Sequence, residues 1–277
     1  MTYRGRTFAL GTQHGKGPLF ATAFNDHLGA VVREIACDTD AFGTFAGERP
    51  RERPAVETAI AKARRALDVS GLTLGLASEG TFGPDPALPF LASDIEHVVA
   101  VDLELDLVVV EHARRLAPVH HRCVVDPGAD VAAFLQRADF PAHALIVRPE
   151  DGDPASVVKG IVEPAALASA IARAAERSPT GRAIVENDLR AHCSPTRRAV
   201  IEEAAGRLAR RLATRCPACD APGWGLVDVE RGLPCADCET PTTAVLAEVR
   251  GCASCPERAR TVMGGSASPA TCPACNP

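Results

Sequence analysis

Eight of the eleven cysteines fall into four CxxC pairs, Cys216/Cys219, Cys235/Cys238, Cys252/Cys255 and Cys272/Cys275, separated by 15, 13 and 16 residues. A CxxC turn aims two thiolates at one point, and two such turns complete the tetrahedral sulfur shell that zinc prefers. Eight ligands therefore predict two structural zinc ions. The disulfide alternative needs an oxidising compartment, and the opening stretch MTYRGRTFALGTQHGK shows no apolar run of signal-peptide length. No segment approaches the ~20 apolar residues that span a bilayer. A soluble, cytoplasmic protein with reduced thiols is expected.

Two pairings are open. Sequential ribbons would join 216/219 to 235/238 and 252/255 to 272/275, whereas a cross-braced module would interleave them; ribbon spacing favours the sequential scheme. Gly223, Gly225, Gly232 and Pro234 mark turns beside the first two knuckles, and alternation from Thr243 to Val249 marks a strand. The stretch has almost no large aliphatic residues, so metal must supply most of its folding free energy. Its acids outnumber its bases and Trp224 is its one exposed-looking aromatic. That pattern suits a structural staple better than nucleic-acid or protein docking. Cys37, Cys123 and Cys193 lack a CxxC partner and are expected to be small buried apolar groups, not nucleophiles.

Three polar clusters carry the remaining chemistry. Gly11-Thr12-Gln13-His14-Gly15-Lys16 sits between a strand and a helix, where backbone amides cradle anions and Lys16 adds a point charge; an ordinary βα turn is the alternative. It is not a Walker loop. Asp38 to Glu48 includes Asp38, Asp40, Thr44 and two aromatics, Phe42 and Phe45. Ser78 to Pro84 holds Ser78, Glu79 and Phe82. Carboxylates beside glycines at strand ends suit Mg²⁺ held with a phosphate ester, because that ion keeps several waters and needs only one or two protein oxygens. Solvated loops are the plainer explanation of either stretch. Glu57, Lys62 and Arg65 look like a salt-bridged outer helix face. Among the polar residues from Glu186 to Arg198, His192 and Arg197 stand out, with Ser194-Pro195 supplying a helix cap and first turn.

The elements that must position these groups alternate between short apolar runs and helical patterns, which predicts an α/β fold, a mixed sheet with flanking helices. Strands are expected at 7–11, 30–36, 72–77, 97–102, 107–111, 144–148 and 157–162, and helices at 18–28, 55–69, 131–138, 164–176 and 195–212. The chain of 277 residues, 46% apolar, divides into an α/β domain over 1–205 and a zinc-ribbon-like module over 206–277. A net charge of −5 gives little attraction for nucleic acid or a membrane surface.

The motifs DTDxFGTFxGE, SEGxFGP and RAHxxPTR with the CxxC pairs resemble an uncharacterised bacterial family, a domain of unknown function, and that resemblance names no activity. A more distant similarity is to the pyrophosphatases that hydrolyse inosine and xanthosine triphosphates, which open with a strand, a GSTNPxK-like loop and a helix. Gly11 to Lys16 occupies that place, with Gln13 where those enzymes carry Asn. Ala61-Lys62-Ala63-Arg64-Arg65-Ala66 stands at their KAxxA stretch, and Ala77-Ser78-Glu79-Gly80 at their acid-bearing strand end. The resemblance implies Mg²⁺ bridging Glu79 and Asp38 or Asp40 to a triphosphate. It implies Lys16 neutralising developing charge, and Thr12, Gln13, His14, Thr44, Ser78, His192 and Arg197 lining the substrate. Placed at the ends of neighbouring strands, Gln13 to Lys16, Asp38 to Thr44 and Ser78 to Phe82 should share one cleft. The block from about Leu116 to Ile184 and the cysteine tail have no counterpart in those enzymes.

Overall fold

The computed structural model describes residues 3–39, 42–43, 51–153 and 156–277. Asp40, Thr44 and Phe45 lie outside them. The chain forms two compact units, Met1–Leu208 and Ala209–Pro277.

In the first unit a sheet of order β2-β1-β3-β4-β5 is built from β1 (Thr7–Gly11), β2 (Val31–Ile35), β3 (Leu74–Pro84), β4 (Ala92–Asp102) and β5 (Leu107–Leu116). β1 pairs parallel with β2 and β3, and β3-β4-β5 is an antiparallel meander. Alternation along β1 sorts the two flanking helices. Phe8 meets Phe24 of α1 (Gly17–Leu28) edge to face, whereas Ala9 packs with Ala59, Ala63 and Ala66 of α2 (Ala55–Ser70). Successive strand residues point to opposite faces, so the two helices cover opposite sides of the sheet. Each helix closes on a glycine in the left-handed region, Gly29 at φ 61° and Gly71 at φ 68°, where a side chain would be strained.

A second sheet, β6-β9-β7-β8, is antiparallel throughout and comprises β6 (Arg122–Val125), β7 (Leu145–Pro149), β8 (Val158–Ile161) and β9 (Ala183–Asn187). Leu167, Ala170, Ile171 and Ala174 of α4 (Pro164–Glu176) and Phe134 of α3 (Ala132–Arg137) pack with Leu145, Val147 and Val185. The last helix, α5 (Pro195–Ala213), begins at the expected proline.

The second unit is a three-stranded antiparallel sheet, β10 (Gly225–Arg231), β11 (Val245–Gly251) and β12 (Arg258–Val262). Every residue of β12 is exposed. Its small core is Cys216, Cys252 and Trp224 with Ala221 and Cys255. Trp224, at 8% exposure, is therefore buried and not the surface aromatic its surroundings in sequence suggested.

Candidate metal centres and the β3 cleft

The four knuckles pair across the sheet. Cys216, Cys219, Cys252 and Cys255 form one cluster and Cys235, Cys238, Cys272 and Cys275 the other, with the four sulfurs of each all within 4.8 Å of one another. This corrects the sequential pairing expected from spacing, and the reason is strand direction. The first knuckle precedes β10 and the third follows β11; antiparallel pairing sets Gly225 opposite Gly251, so both knuckles fall at one end of the sheet. β12 runs back from that end, and the fourth knuckle joins the second at the other. Sulfur separations of 3.8 Å (Cys216–Cys255), 3.6 Å (Cys219–Cys252) and 3.5 Å (Cys238–Cys272) are close to the ~3.8 Å edge of a tetrahedron with ~2.3 Å metal–sulfur bonds.

Backbone amides orient the ligands. Ser254 and Cys255 donate to Cys252 Sγ, Asp237 to Cys235 Sγ and Ala274 to Cys272 Sγ, at 3.2 to 3.4 Å. Such bonds spread thiolate charge without competing for the metal, a supporting shell that fixes ligand direction. The remaining cysteines lie outside both clusters. Cys37 is buried, Cys123 and Cys193 are half-buried, and burial raises all three thiols, Cys193 to about 11.

The acid-bearing cluster sits inside a strand, not at its end. β3 runs in unbroken register with β4 from Leu74 opposite Asp102 to Pro84 opposite Ala92. β1 stops at Gly11, and its pairing with β3 ends at Leu76. Beyond that point Arg51 donates to Gly80 O at 3.0 Å, Thr81 Oγ1 at 3.1 Å and Glu79 Oε1 at 3.2 Å. Lys62 of α2 reaches Glu79 Oε2 at 2.6 Å. Lys62 thus belongs to the site and not to a solvated helix face. The signal was its place one residue from Ala63 on the inward stripe Ala59, Ala63, Ala66.

Around this carboxylate opens a cleft of about 350 Å³ lined by Gly43, Arg51, Glu79, Gly80, Thr81, Phe82, His120 and Leu189. His120 meets the Phe82 ring edge-on, with centroids 5.7 Å apart. Nothing in the surrounding sequence pointed to His120 or Arg51.

Lys16 is held elsewhere. Its Nζ donates to Ser78 Oγ at 2.8 Å, and Ser78, adjacent to Glu79 in β3, projects to the opposite face. The expected single cleft therefore takes in Glu79 to Phe82 and Gly43 but not Gln13, His14 or Lys16. Burial lowers the Lys16 ammonium to about 7, with Arg197 and Lys62 adding to the effect against Glu96 and Glu79. On that face Arg197 of α5, 1% exposed, donates from Nε to Glu96 Oε1 at 2.5 Å and from Nη1 to Leu189 O, with its guanidinium 5.9 Å from the Phe82 ring centre. Glu96 lies opposite Gly80, where an added Cβ would collide with both partners of that ion pair. Arg197 ties α5 to the sheet beneath the cleft. Asp94, two residues along the same face, is pushed up to about 8 by burial and by Glu96.

The loop residues take other positions. Thr12 is buried and its Oγ1 accepts from the His14 amide at 3.1 Å; Gln13 Nε2 donates to Cys37 O at 2.9 Å. Asp38 is exposed just beyond β2. His14 and His192 meet ring to ring at 5.2 Å, so the α1 loop and the segment before α5 do converge. Burial, then Lys16, lowers His14 to about 4, and burial also lowers His192.

A family model described as a domain of unknown function, DUF6671, matches residues 62–277. The chain belongs to that family. The matched DUF6671 span contains Lys62, Glu79, Glu96, Arg197 and all eight clustered cysteines, and it leaves out β1, the Gly11 to Lys16 loop and the Asp38 to Glu48 segment. No curated protein matches the chain. Among the described residues, no helix is long and apolar enough to cross a membrane.

Proposed function

We propose that the first unit is a Mg²⁺-dependent hydrolase of a nucleotide or related phosphate ester, working in the β3 cleft, and that the second is a structural module holding two zinc ions. The observation that carries the first half is Glu79. A carboxylate with 8% side-chain exposure, clamped by Lys62 and Arg51 at the edge of a 350 Å³ cleft, sets an oxygen donor of the type Mg²⁺ takes beside two cations of the type phosphate takes.

In this proposal Glu79 would hold Mg²⁺, which would supply an activated water and polarise the phosphoryl group. Lys62 and Arg51, released from Glu79, would orient the phosphate oxygens and stabilise charge that builds on them. Phe82 and His120 form the apolar wall for the organic part of the substrate. Lys16 acts through Ser78, the neighbour of Glu79, and by field; Asp38 and Asp40 remain candidates for a second metal oxygen, and His192 for a contact to the substrate. Thiolate zinc sites agree with a reducing, cytoplasmic setting. Seven arginines against seven carboxylates in 209–277 leave no net basic charge to recruit nucleic acid, which favours the staple over a docking role.

The test is release of phosphate or pyrophosphate from a nucleotide panel with Mg²⁺ or Mn²⁺. Glu79→Gln keeps the shape and removes the charge, with an expected loss on the order of 10²-fold in rate. Lys16→Ala should impair turnover less. A wild-type chain inert on every nucleotide, or Glu79→Gln as active as wild type, would refute the hydrolase.

A further inference from the structure

A second groove, of about 600 Å³, lies on the Glu79 side of the sheet, lined by Pro86, Ile95, His97, His112, Arg114 and Arg207. Strand register builds it. Ile95 sits opposite Arg114 and His97 opposite His112 across β4 and β5, so all four project to one face. The imidazole rings are 5.9 Å apart.

Both guanidinium groups are anchored before any ligand arrives. Arg114 Nη1 contacts both oxygens of Asp85 at 3.1 Å, and Asp85 is itself buried and accepts from the Ala87 and Leu88 amides. Arg207 reaches from α5 to His112 O at 3.1 Å and to Glu203 Oε1 at 2.5 Å. Anchoring removes much of the ordering cost of recruiting flexible arginines. Each leaves further N–H donors in a planar fork suited to phosphate geometry.

We infer that this groove is an anion site for a phosphate-type dianion, separate from the β3 cleft, with His97, His112, Arg114 and Arg207 as its donors. The pair of imidazoles gives the site its character. Burial first, then His112 and Arg51, lowers His97, while Glu96 and Glu79 oppose the shift. One imidazole from each strand faces the groove beside the two guanidinium groups. The inference does not depend on the hydrolase proposal, since none of the four donors lines the β3 cleft.

Titration of the full chain with inorganic phosphate, followed through the imidazole proton signals of His97 and His112, tests it. The expected result is saturable shifts, with binding weakened roughly tenfold by His112→Gln or Arg207→Gln, as for loss of one charge-assisted hydrogen bond. Arg173→Gln, on α4 and outside the groove lining, should bind phosphate as wild type does. Shifts that persist unaltered in both variants, or no saturable shift at all, would overturn the site.

Discussion

The two units reach stability by different means. The first buries Phe8, Phe20, Phe24, Leu10, Leu74, Leu76, Leu107 and Leu145 almost completely. Each such side chain contributes about 1.5 to 3 kcal/mol on transfer from water. The second has no comparable set. Its buried cluster is two cysteines and a tryptophan, and its third strand is wholly exposed. In one unit the apolar core holds the polar groups in place, whereas in the other the polar ligands replace the core.

That contrast breaks most sharply under chelation. Stripping metal should unfold 209–277, because structural zinc in small modules is worth about 10 to 16 kcal/mol of apparent binding free energy, which is also folding free energy. The first unit should keep its amide dispersion and its own thermal transition. Elemental analysis should return two zinc ions per chain before treatment, and a chelated chain whose module signals stay dispersed would show the staple to be unnecessary.

The cross-brace gives a finer division. Cys216→Ser should disturb the signals of Cys252 and Cys255 at the far end of the intervening hairpin and spare those of Cys272 and Cys275; Cys272→Ser should do the reverse, disturbing 235–238. Metal content should fall from two to about one in each variant, since three thiolates and a hydroxyl bind zinc more weakly than four thiolates. Disturbance passing from Cys216 to Cys235 would instead restore the sequential scheme.

The smallest expected effect lies in the first unit and is a matter of pH. Asp94 is raised above its ordinary value in the folded chain, so between about 4 and about 8 the unfolded chain has released a proton that the folded chain keeps. Stability on this account falls as pH rises through that window and levels off above it. Lys16 is lowered to about 7, so the unfolded chain binds the extra proton above that pH, and its contribution recovers from about 7 toward 10. Burial and then Glu96 raise Asp94, while Arg197 and Arg115 oppose the shift. Asp94→Asn should flatten the decline between pH 4 and 8, which thermal melts across that range will show; an unchanged slope would place the proton elsewhere.

The α/β alternation, the helix bounds at Pro164–Glu176 and Pro195, and the eight clustered cysteines were legible in sequence because each rests on local periodicity, capping or spacing. The long β3–β4 hairpin was not. Gly80 and Gly83 among polar residues imitate a loop, and only pairing with β4 shows otherwise. β6 and β9, short and polar at their margins, went unseen for the same reason. Glu96 was within reach: it alternates with Val98 and Ala100 on an inward face, and an acid in such a series requires a partner. Cluster pairing depended on strand direction, a tertiary property that cysteine spacing does not encode.

The interleaved knuckles also set an order in time. As the chain leaves the ribosome, the second knuckle emerges before either cluster is complete, and its partners at Cys272 and Cys275 come last. The cluster containing Cys216 is complete once Cys255 is free, which closes the β10–β11 hairpin while the pair at 235–238 still lacks its partners. A nascent chain paused before Cys272 therefore carries one complete cluster and two unmatched thiols. Those thiols are exposed to the wrong metal or to oxidation until Cys272 and Cys275 emerge.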